Sequence, residues 1–481
     1  MSERIQYNRT KIVATLGPAS SSPEILEEMV KAGTDVFRVN FSHGDYAAVE
    51  SLLTHIRNVN RKLGTHTAIL GDLQGPKLRI GEVENNGVEL VEGAQITFTT
   101  EKMTGNAAKV YITYPQFPRD VQAGENILID DGKLVLRVDK TNGTSEVVAT
   151  VLHGGTLSSK KGVNLPNTKI SLPCLTEKDL NDLNFALKNN FDWIGLSFVR
   201  SSADIVELKD IIRNFDPNCK AKVIAKIEKP EAVSDIDGIL AETDAIMVAR
   251  GDLGVEVPMQ RVPVIQKMLV RKCRRAAKPV IIATQMMESM IVNISPSRAE
   301  VSDVANSVMD GADAVMLSGE TSVGRHPHKV IAAMSKIIAQ VEEESDLYYS
   351  EISNEVSPPE RYLSDHICYA ATQLSKQVDA SAIITMTHSG YTAYKVASYR
   401  PKANVFVFTG NYNILTQLSL VWGVRGLYYD KDISTDHTIA DIKFILKKAG
   451  HIVTNDFILN IASIPLSEKG KTNMIKLTQV E

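Results

Sequence analysis

The feature that most constrains this chain is a unit that recurs from residue 12 to about residue 345: a short apolar run that closes in glycine or polar residues, followed by a segment of helical periodicity. The runs fall at 12–17, 36–41, 67–72, 193–198, 223–227, 245–249, 280–284 and 314–317. Most are near-continuously apolar rather than alternating, the pattern of parallel strands covered on both faces. Helical segments fill the gaps, among them 24–31 after Pro23, 176–190 with Thr176 as cap, and 297–309. Eight strand–helix units predict a (β/α)₈ barrel, whose chemistry belongs at the C-terminal ends of the strands.

One gap breaks the pattern. About 120 residues separate the third run from the fourth, and they read as β-structure at 88–90, 95–99, 126–129, 134–139 and 146–152. Turn signals bound these runs, such as Glu92-Gly93, Asp131-Gly132, Asn142-Gly143 and Gly154-Gly155. A small β-barrel domain inserted in a barrel loop, tethered at both ends beside the mouth, can act as a lid. The acidic, serine-rich stretch 342–361, with Pro358 and Pro359, reads as a linker to a third α/β unit with strands near 382–387, 405–409, 457–461 and 474–478. The resulting division is barrel at 1–74 and 173–344, lid at 75–172, and C-terminal domain at 345–481.

Charge and composition narrow the function. Lys and Arg number 53 against 57 Asp and Glu, a net charge of −4 that argues against a nucleic-acid binder. No stretch approaches the ~18 uninterrupted apolar residues of a membrane span, since Gln285 and Glu288 break the most apolar one. The first ten residues are polar, and the four cysteines form no CxxC pair, which together predict a reduced, cytoplasmic protein.

The strand ends carry the chemistry. The second closes in Arg38-Val39-Asn40-Phe41-Ser42-His43-Gly44, and the third in Asp72-Leu73-Gln74-Gly75-Pro76-Lys77-Leu78-Arg79. Ser197 closes the fourth, Lys226-Ile227-Glu228 the fifth, Arg250-Gly251-Asp252 the sixth, Thr284-Gln285 the seventh and Ser318-Gly319-Glu320 the eighth. Lys226 and Glu228, two apart on a strand, point to one face. Glu228 and Asp252 come from adjacent strands, and two carboxylates with open positions suit Mg²⁺. Lys226 can neutralise a transferring phosphoryl group, Arg38 offers a fork for phosphate, and Gly251 and Asp252 can aim backbone N–H groups at an anion. This set describes phosphoryl transfer better than hydrolysis by a nucleophile.

The same residues resemble the pyruvate kinase family over essentially the whole chain: Thr15 to Ser20, Arg38 to Gly44, Lys161 to Pro166, Lys226 to Glu228, Met247 to Gly254, Ala283 to Met286 with Glu288, and Met316 to Thr321. The resemblance implies an allosteric, homotetrameric glycolytic enzyme that moves the phosphoryl group of phosphoenolpyruvate to ADP, giving pyruvate and ATP. It implies two Mg²⁺ per site, one held by Glu228 and Asp252 and one arriving with the nucleotide. Lys226 and Arg38 would meet the phosphoryl group. Gly251, Asp252 and Thr284 would receive the substrate carboxylate, and Thr284, Ser318 and Glu320 would lie where the enolate is protonated. Asn40, Phe41, Ser42, His43 and Arg79, with Lys161 from the lid, would bind the nucleotide.

Two departures from the family pattern matter. A monovalent-cation pocket would match Asn40, Ser42, Asp72 and the backbone of Leu73, but where many members read Asp-Thr-Lys-Gly-Pro-Glu this chain reads Asp72-Leu73-Gln74-Gly75-Pro76-Lys77. The Lys77 ammonium can supply the charge of a bound K⁺, so the chain resembles the branch that works without it. At Thr387-His388-Ser389-Gly390-Tyr391-Thr392 a strand-to-helix turn resembles the family's sugar-phosphate loop. The basic position there holds His388, and Glu468 in the last loop would repel a bisphosphate, which leaves a sugar phosphate or a nucleoside monophosphate open as effector.

Overall fold

The computed structural model describes residues 7–42, 45–344, 347–349, 359–431, 434–464 and 472–481. Eight strands, β1 (Lys11–Thr15), β2 (Val36–Asn40), β3 (Ala68–Asp72), β4 (Trp193–Leu196), β5 (Lys222–Ile227), β6 (Ala245–Ala249), β7 (Val280–Ala283) and β8 (Ala314–Leu317), close into one barrel. Every neighbouring pair is parallel, including β1 with β8. The apolar runs serve two cores at once. Alternate residues such as Val13, Leu70, Trp193, Ile224, Met247 and Met316 fill the barrel, while Ile12, Ile69, Ile194, Val223 and Val315 face the surrounding helices.

Local capping sets where the helices start. Ser22 accepts a hydrogen bond from Ile25 N ahead of helix Pro23–Ala32, and Thr176 with Asp179 and Ser297 with Glu300 form reciprocal capping boxes.

The inserted domain keeps a core of its own, from Leu78, Ile80 and Val83 through Phe98, Phe117 and Leu136 to Val163 and Leu165. Its strands form a six-stranded sheet and a two-stranded one rather than a second closed ring. Three of them, Lys109–Tyr111, Gly155–Ser158 and Val163–Asn164, are two to four residues long and carry too little apolar pattern to be read from sequence.

The C-terminal domain is a five-stranded sheet in the order Val424–Tyr428, Asn404–Thr409, Ala382–Met386, Phe457–Ala462 and Met474–Gln479, the last strand antiparallel. Val424–Tyr428 escapes the sequence reading because Arg425 and Gly426 interrupt its apolar run. The expected linker also needs correction at its start. Helix Pro327–Glu344 runs through Glu342, which is buried and accepts hydrogen bonds from Arg9 N at 2.8 Å and Thr10 N at 2.7 Å. Residues 345–346 and 350–358 of that stretch lie outside the described residues.

The C-terminal domain closes the N-terminal end of the barrel. Leu420 joins the core of the barrel interior. Arg400 is 2% exposed, pairs with Asp313 at 3.2 Å, donates to Gly311 O at 2.7 Å and lies 4.8 Å over the Trp422 ring.

Candidate functional site

Parallel register brings the polar strand ends to one level. Asn40 and Gly195 both lie opposite Asp72, and Lys226 opposite Met247. Lys226 Nζ sits 3.0 Å from Glu228 Oε1 and 3.2 Å from Asp72 Oδ1, and donates to Ser197 Oγ at 2.7 Å. Arg38 grips the other oxygen of Asp72, with Nε at 2.7 Å and Nη2 at 2.5 Å, and donates through Nη1 to Thr15 Oγ1 at 3.1 Å. Ser197 in turn donates to Leu73 O at 2.6 Å. Two cations and two carboxylates thus share one largely desolvated cluster at the mouth.

Its electrostatics follow from burial. Burial, with Asp252 adding repulsion, pushes the Glu228 carboxyl up to about 7 against the opposing pull of Lys226. Burial works against a charged Lys226, yet Asp72 and Glu228 outweigh it and hold the ammonium above its ordinary range. Burial likewise opposes ionised Asp72, and Lys226 and Arg38 overcome it and hold the carboxyl below its usual range.

The two carboxylates that repel one another, Glu228 and Asp252, are a donor set suited to a hard divalent cation. Glu228 Oε2 is already oriented by Phe198 N at 2.7 Å. Among the described residues no group of three His, Cys, Asp or Glu side chains forms a metal cage. Mg²⁺ needs no such cage, since it takes one or two carboxylates and fills its remaining positions with water and substrate oxygens.

On the opposite wall, Thr284 and Gln285 follow β7 with φ of 78° and 55°, a strained turn for non-glycine residues. Arg250 holds this turn: it donates to Thr284 O at 2.7 Å and to Ala283 O at 3.3 Å, and its guanidinium takes Asp303 through two contacts at 2.7 and 2.6 Å. A side chain at position 251 would come within 2.7 Å of Thr284 Cγ2, so glycine is required for the two loops to approach. Glu320 is buried, accepting from Met287 N at 3.1 Å and Ser318 N at 2.7 Å, and so ties the β7 and β8 ends together.

The nucleotide-side residues are less gathered. Asn40 Oδ1 accepts from Ser42 N at 3.1 Å, whereas the Phe41 ring is buried against Phe185 and Phe191, its N–H donates to Asp72 O at 3.2 Å and its carbonyl accepts from Lys178 Nζ at 2.7 Å. His43 lies outside the described residues. Arg79 donates to Lys160 O at 2.9 Å, and Lys161 pairs with Asp130 of the lid at 2.8 Å. Lys77 is exposed and lines the lid–barrel cleft with Asp252, Lys229, Asn164 and Phe198 rather than the Asn40 side. In the C-terminal domain, Gly390 has φ 83°, its N–H donates to Thr387 Oγ1 at 2.9 Å, and Ser389 Oγ accepts from Tyr391 N at 3.4 Å. His388 is exposed, and Thr392 Oγ1 meets Thr472 Oγ1 at 3.1 Å.

The sequence reading placed Asp72 only in a cation pocket and overlooked the support role of Arg250. Asp72 stands between β2 and β4 in the register, which makes it the carboxylate shared by Arg38 and Lys226. Arg250 precedes Gly251 directly, but its partner Asp303 lies 53 residues away, and no local signal links them.

A parallel eight-stranded barrel with an inserted β-rich domain, whose mouth carries clustered cations beside acidic side chains, is the frame of an enzyme for phosphoryl transfer. Comparison with known proteins agrees. The family model "Pyruvate kinase, barrel domain" matches residues 7–331 and "Pyruvate kinase, alpha/beta domain" matches residues 365–478. The chain is 40% identical to the pyruvate kinase of Geobacillus stearothermophilus over 98% of this chain and 80% of that one. It is also 40% identical to that of Clostridium acetobutylicum, over 98% and 100% of the two chains. A solved pyruvate kinase from Cryptosporidium parvum superposes with a TM-score of 0.92 at 35% identity, covering 98% and 96%. The chain belongs to the pyruvate kinase family.

Proposed function

We propose that this chain transfers the phosphoryl group of phosphoenolpyruvate to ADP, forming ATP and an enolate that is protonated to pyruvate. The observation that carries this reading is Lys226: a largely buried ammonium balanced by Asp72 and Glu228 at the strand ends, a charge that would stabilise a transferring phosphoryl group. Arg38 shares Asp72 with it and offers its remaining N–H groups to the substrate phosphate. Glu228 and Asp252 would hold one Mg²⁺, and a second would arrive with the nucleotide. Bound there, the metal supplies charge neutralisation and orientation of substrate oxygens.

On the other face, Gly251 and Asp252 would receive the substrate carboxylate. Thr284, held by Arg250, is the hydroxyl that delivers a proton to the enolate carbon, with Ser318 and Glu320 behind it. Asn40, Ser42, His43, the Phe41 backbone and Arg79 would take the nucleotide, with Lys161 brought over its phosphates by the lid. Enol ketonisation makes the overall step favourable, so positioning and charge neutralisation are the main demands on the protein.

Leu73, Gln74 and Lys77 depart from the loop of the potassium-dependent pattern and favour turnover without K⁺; Lys77 lines the lid–barrel cleft in this structure, and its flexible stem would have to swing toward Asn40 and Asp72 for the ammonium to stand in for the ion. The loop Thr387, His388, Ser389, Gly390 and Thr392 is a candidate site for a phosphate-bearing effector. Exposed apolar residues on the barrel, including Met259, Val264, Val292, Ile294 and Val323, are in keeping with assembly into a homotetramer. No described helix is long and apolar enough to cross a membrane.

The experiment is pyruvate formation from phosphoenolpyruvate and ADP with Mg²⁺, in a buffer whose other cation is a bulky tetraalkylammonium. Turnover there supports both the reaction and the role of Lys77. Turnover only after K⁺ is added keeps the reaction and removes K⁺ independence.

A further inference from the structure

One buried ion pair near the site has no part in the reaction described above. Lys229 Nζ lies 2.6 Å from Glu256 Oε1, with side chains 9% and 1% exposed. The same oxygen accepts a hydrogen bond from the lid, Asn164 Nδ2 at 2.8 Å. Glu256 Oε2 is buried and has no hydrogen-bond partner among the described residues.

The placement of these three residues is informative. Lys229 directly follows Glu228, and Glu256 closes the helix Arg250–Glu256 one turn after Asp252, on the same face. The pair therefore forms a second rung beside the two carboxylates assigned to the metal. Asn164 belongs to the strand Val163–Asn164, which pairs with Asn126–Ile129 through Val163 with Ile129 and Asn164 with Leu128. That partner strand leads directly into Asp130, whose carboxylate holds Lys161 at 2.8 Å. Gly162 O accepts from Asp130 N at 3.1 Å, so Lys161 and Asn164 sit on one two-stranded ribbon.

We propose that Asn164, Glu256 and Lys229 form a latch that docks this lid ribbon on the barrel and so sets the position of Lys161 over the mouth. The reading rests on the assignment of Lys161 to the nucleotide. The amide-to-carboxylate bond is charge-assisted and shielded from water, which makes it a strong single point of attachment. With one oxygen spare, Glu256 keeps Lys229 paired while the amide engages or releases, so the lid can move without leaving a buried lysine unpaired. Asn164 and Glu256 are positioning residues that act through Lys161.

The test is a double-mutant cycle on ADP kinetics. Asn164→Ala retains the Lys229–Glu256 pair and should fold normally, which a thermal melt verifies. It should raise KM for ADP roughly threefold to tenfold, the scale of losing the net worth of one intramolecular hydrogen bond, while KM for phosphoenolpyruvate stays within about twofold. Lys161→Ala should also raise KM for ADP, and the double variant Asn164→Ala with Lys161→Ala should be no worse than Lys161→Ala alone. Asn164→Asp, repelled by Glu256, should be at least as impaired as Asn164→Ala. An unchanged KM in Asn164→Ala, beside a raised one in Lys161→Ala, overturns the latch alone. Multiplying effects in the double variant also overturn it, because Asn164 would then act by another route. An unchanged KM in Lys161→Ala removes the assignment of Lys161 and, with it, the purpose of the latch.

Discussion

Lys226 Nζ stands 3.2 Å from Asp72 Oδ1, across the width of β4, which separates the strands that carry the two residues. Asp72 keeps Lys226 charged and Arg38 aligned, and Glu228 adds the second counter-charge. These contacts orient the ammonium within the cluster, which the proposed role of Lys226 at the transferring phosphoryl group requires.

Lys226→Met should therefore cut kcat by at least about a hundredfold, the scale of losing one oriented electrostatic group in a desolvated site. Arg38 still pairs with Asp72, and the fold should survive. Steady-state kinetics beside a circular-dichroism melt check this; near-normal kcat in a folded variant would remove Lys226 from the chemistry.

Arg250→Ala removes the support of the strained turn at Thr284 and leaves Asp303 without its guanidinium. On the proposed role of Thr284 as proton donor, the expected result is a fall in kcat of roughly tenfold to a hundredfold with a smaller change in phosphoenolpyruvate affinity, since a misplaced donor would cost the transition state more than the ground state. Solvent deuterium incorporation into pyruvate gives the direct readout.

The contact between Arg400 and Asp313 predicts a stability effect at the barrel base. Arg400→Ala takes from buried Asp313 its directly paired cation, leaving it the field of Arg274 and the N–H groups of Val280 and Trp422, so the loss should fall toward the lower end of the roughly 3–5 kcal/mol of a broken buried pair. The chain has two tryptophans, and Trp422 lies beneath Arg400, so its fluorescence should shift in the folded variant. Urea unfolding followed by that emission measures both.

Asp192 supplies a pH dependence. Burial pushes its carboxyl up to about 6, against hydrogen bonds from the Thr416 hydroxyl and Ile69 N. Because the folded value lies above the ordinary ~3.9 of the unfolded chain, the fold binds the proton more tightly than the unfolded state does. Ionised Asp192 is thus a penalty on folding that is full above about pH 6 and relieved as the pH falls toward 4. Asp192→Asn, which can still accept from Ile69 N and donate to Thr416, should gain stability relative to the parent at pH 8 and lose that gain at pH 4.5. Paired melts at the two pH values decide it.

Much of this molecule was legible in one dimension. The eight buried strands announce themselves because a parallel strand covered on both faces must be apolar throughout, and the polar residues that end each run are forced to the same rim once the ring closes. Lys226, Glu228, Asp252, Arg38 and Thr284 could be named because each occupies such an end. The start of helix Ser297-Arg298 and that of Thr176-Glu177 were equally plain, since capping is a contact between near neighbours in the chain.

What the tertiary structure decided were the pairings between distant residues. Nothing near Asp72 shows that it will be shared by Arg38 and Lys226, nothing near Arg250 names Asp303, and nothing near Glu256 names Lys229 and Asn164. Short lid strands such as Val163–Asn164 exist only because a partner strand completes their hydrogen bonds. A local sequence carries propensity and periodicity, which are energies of neighbours. Charge balance in a buried cluster depends on which strand ends the closed barrel sets side by side, and that is a property of the fold as a whole.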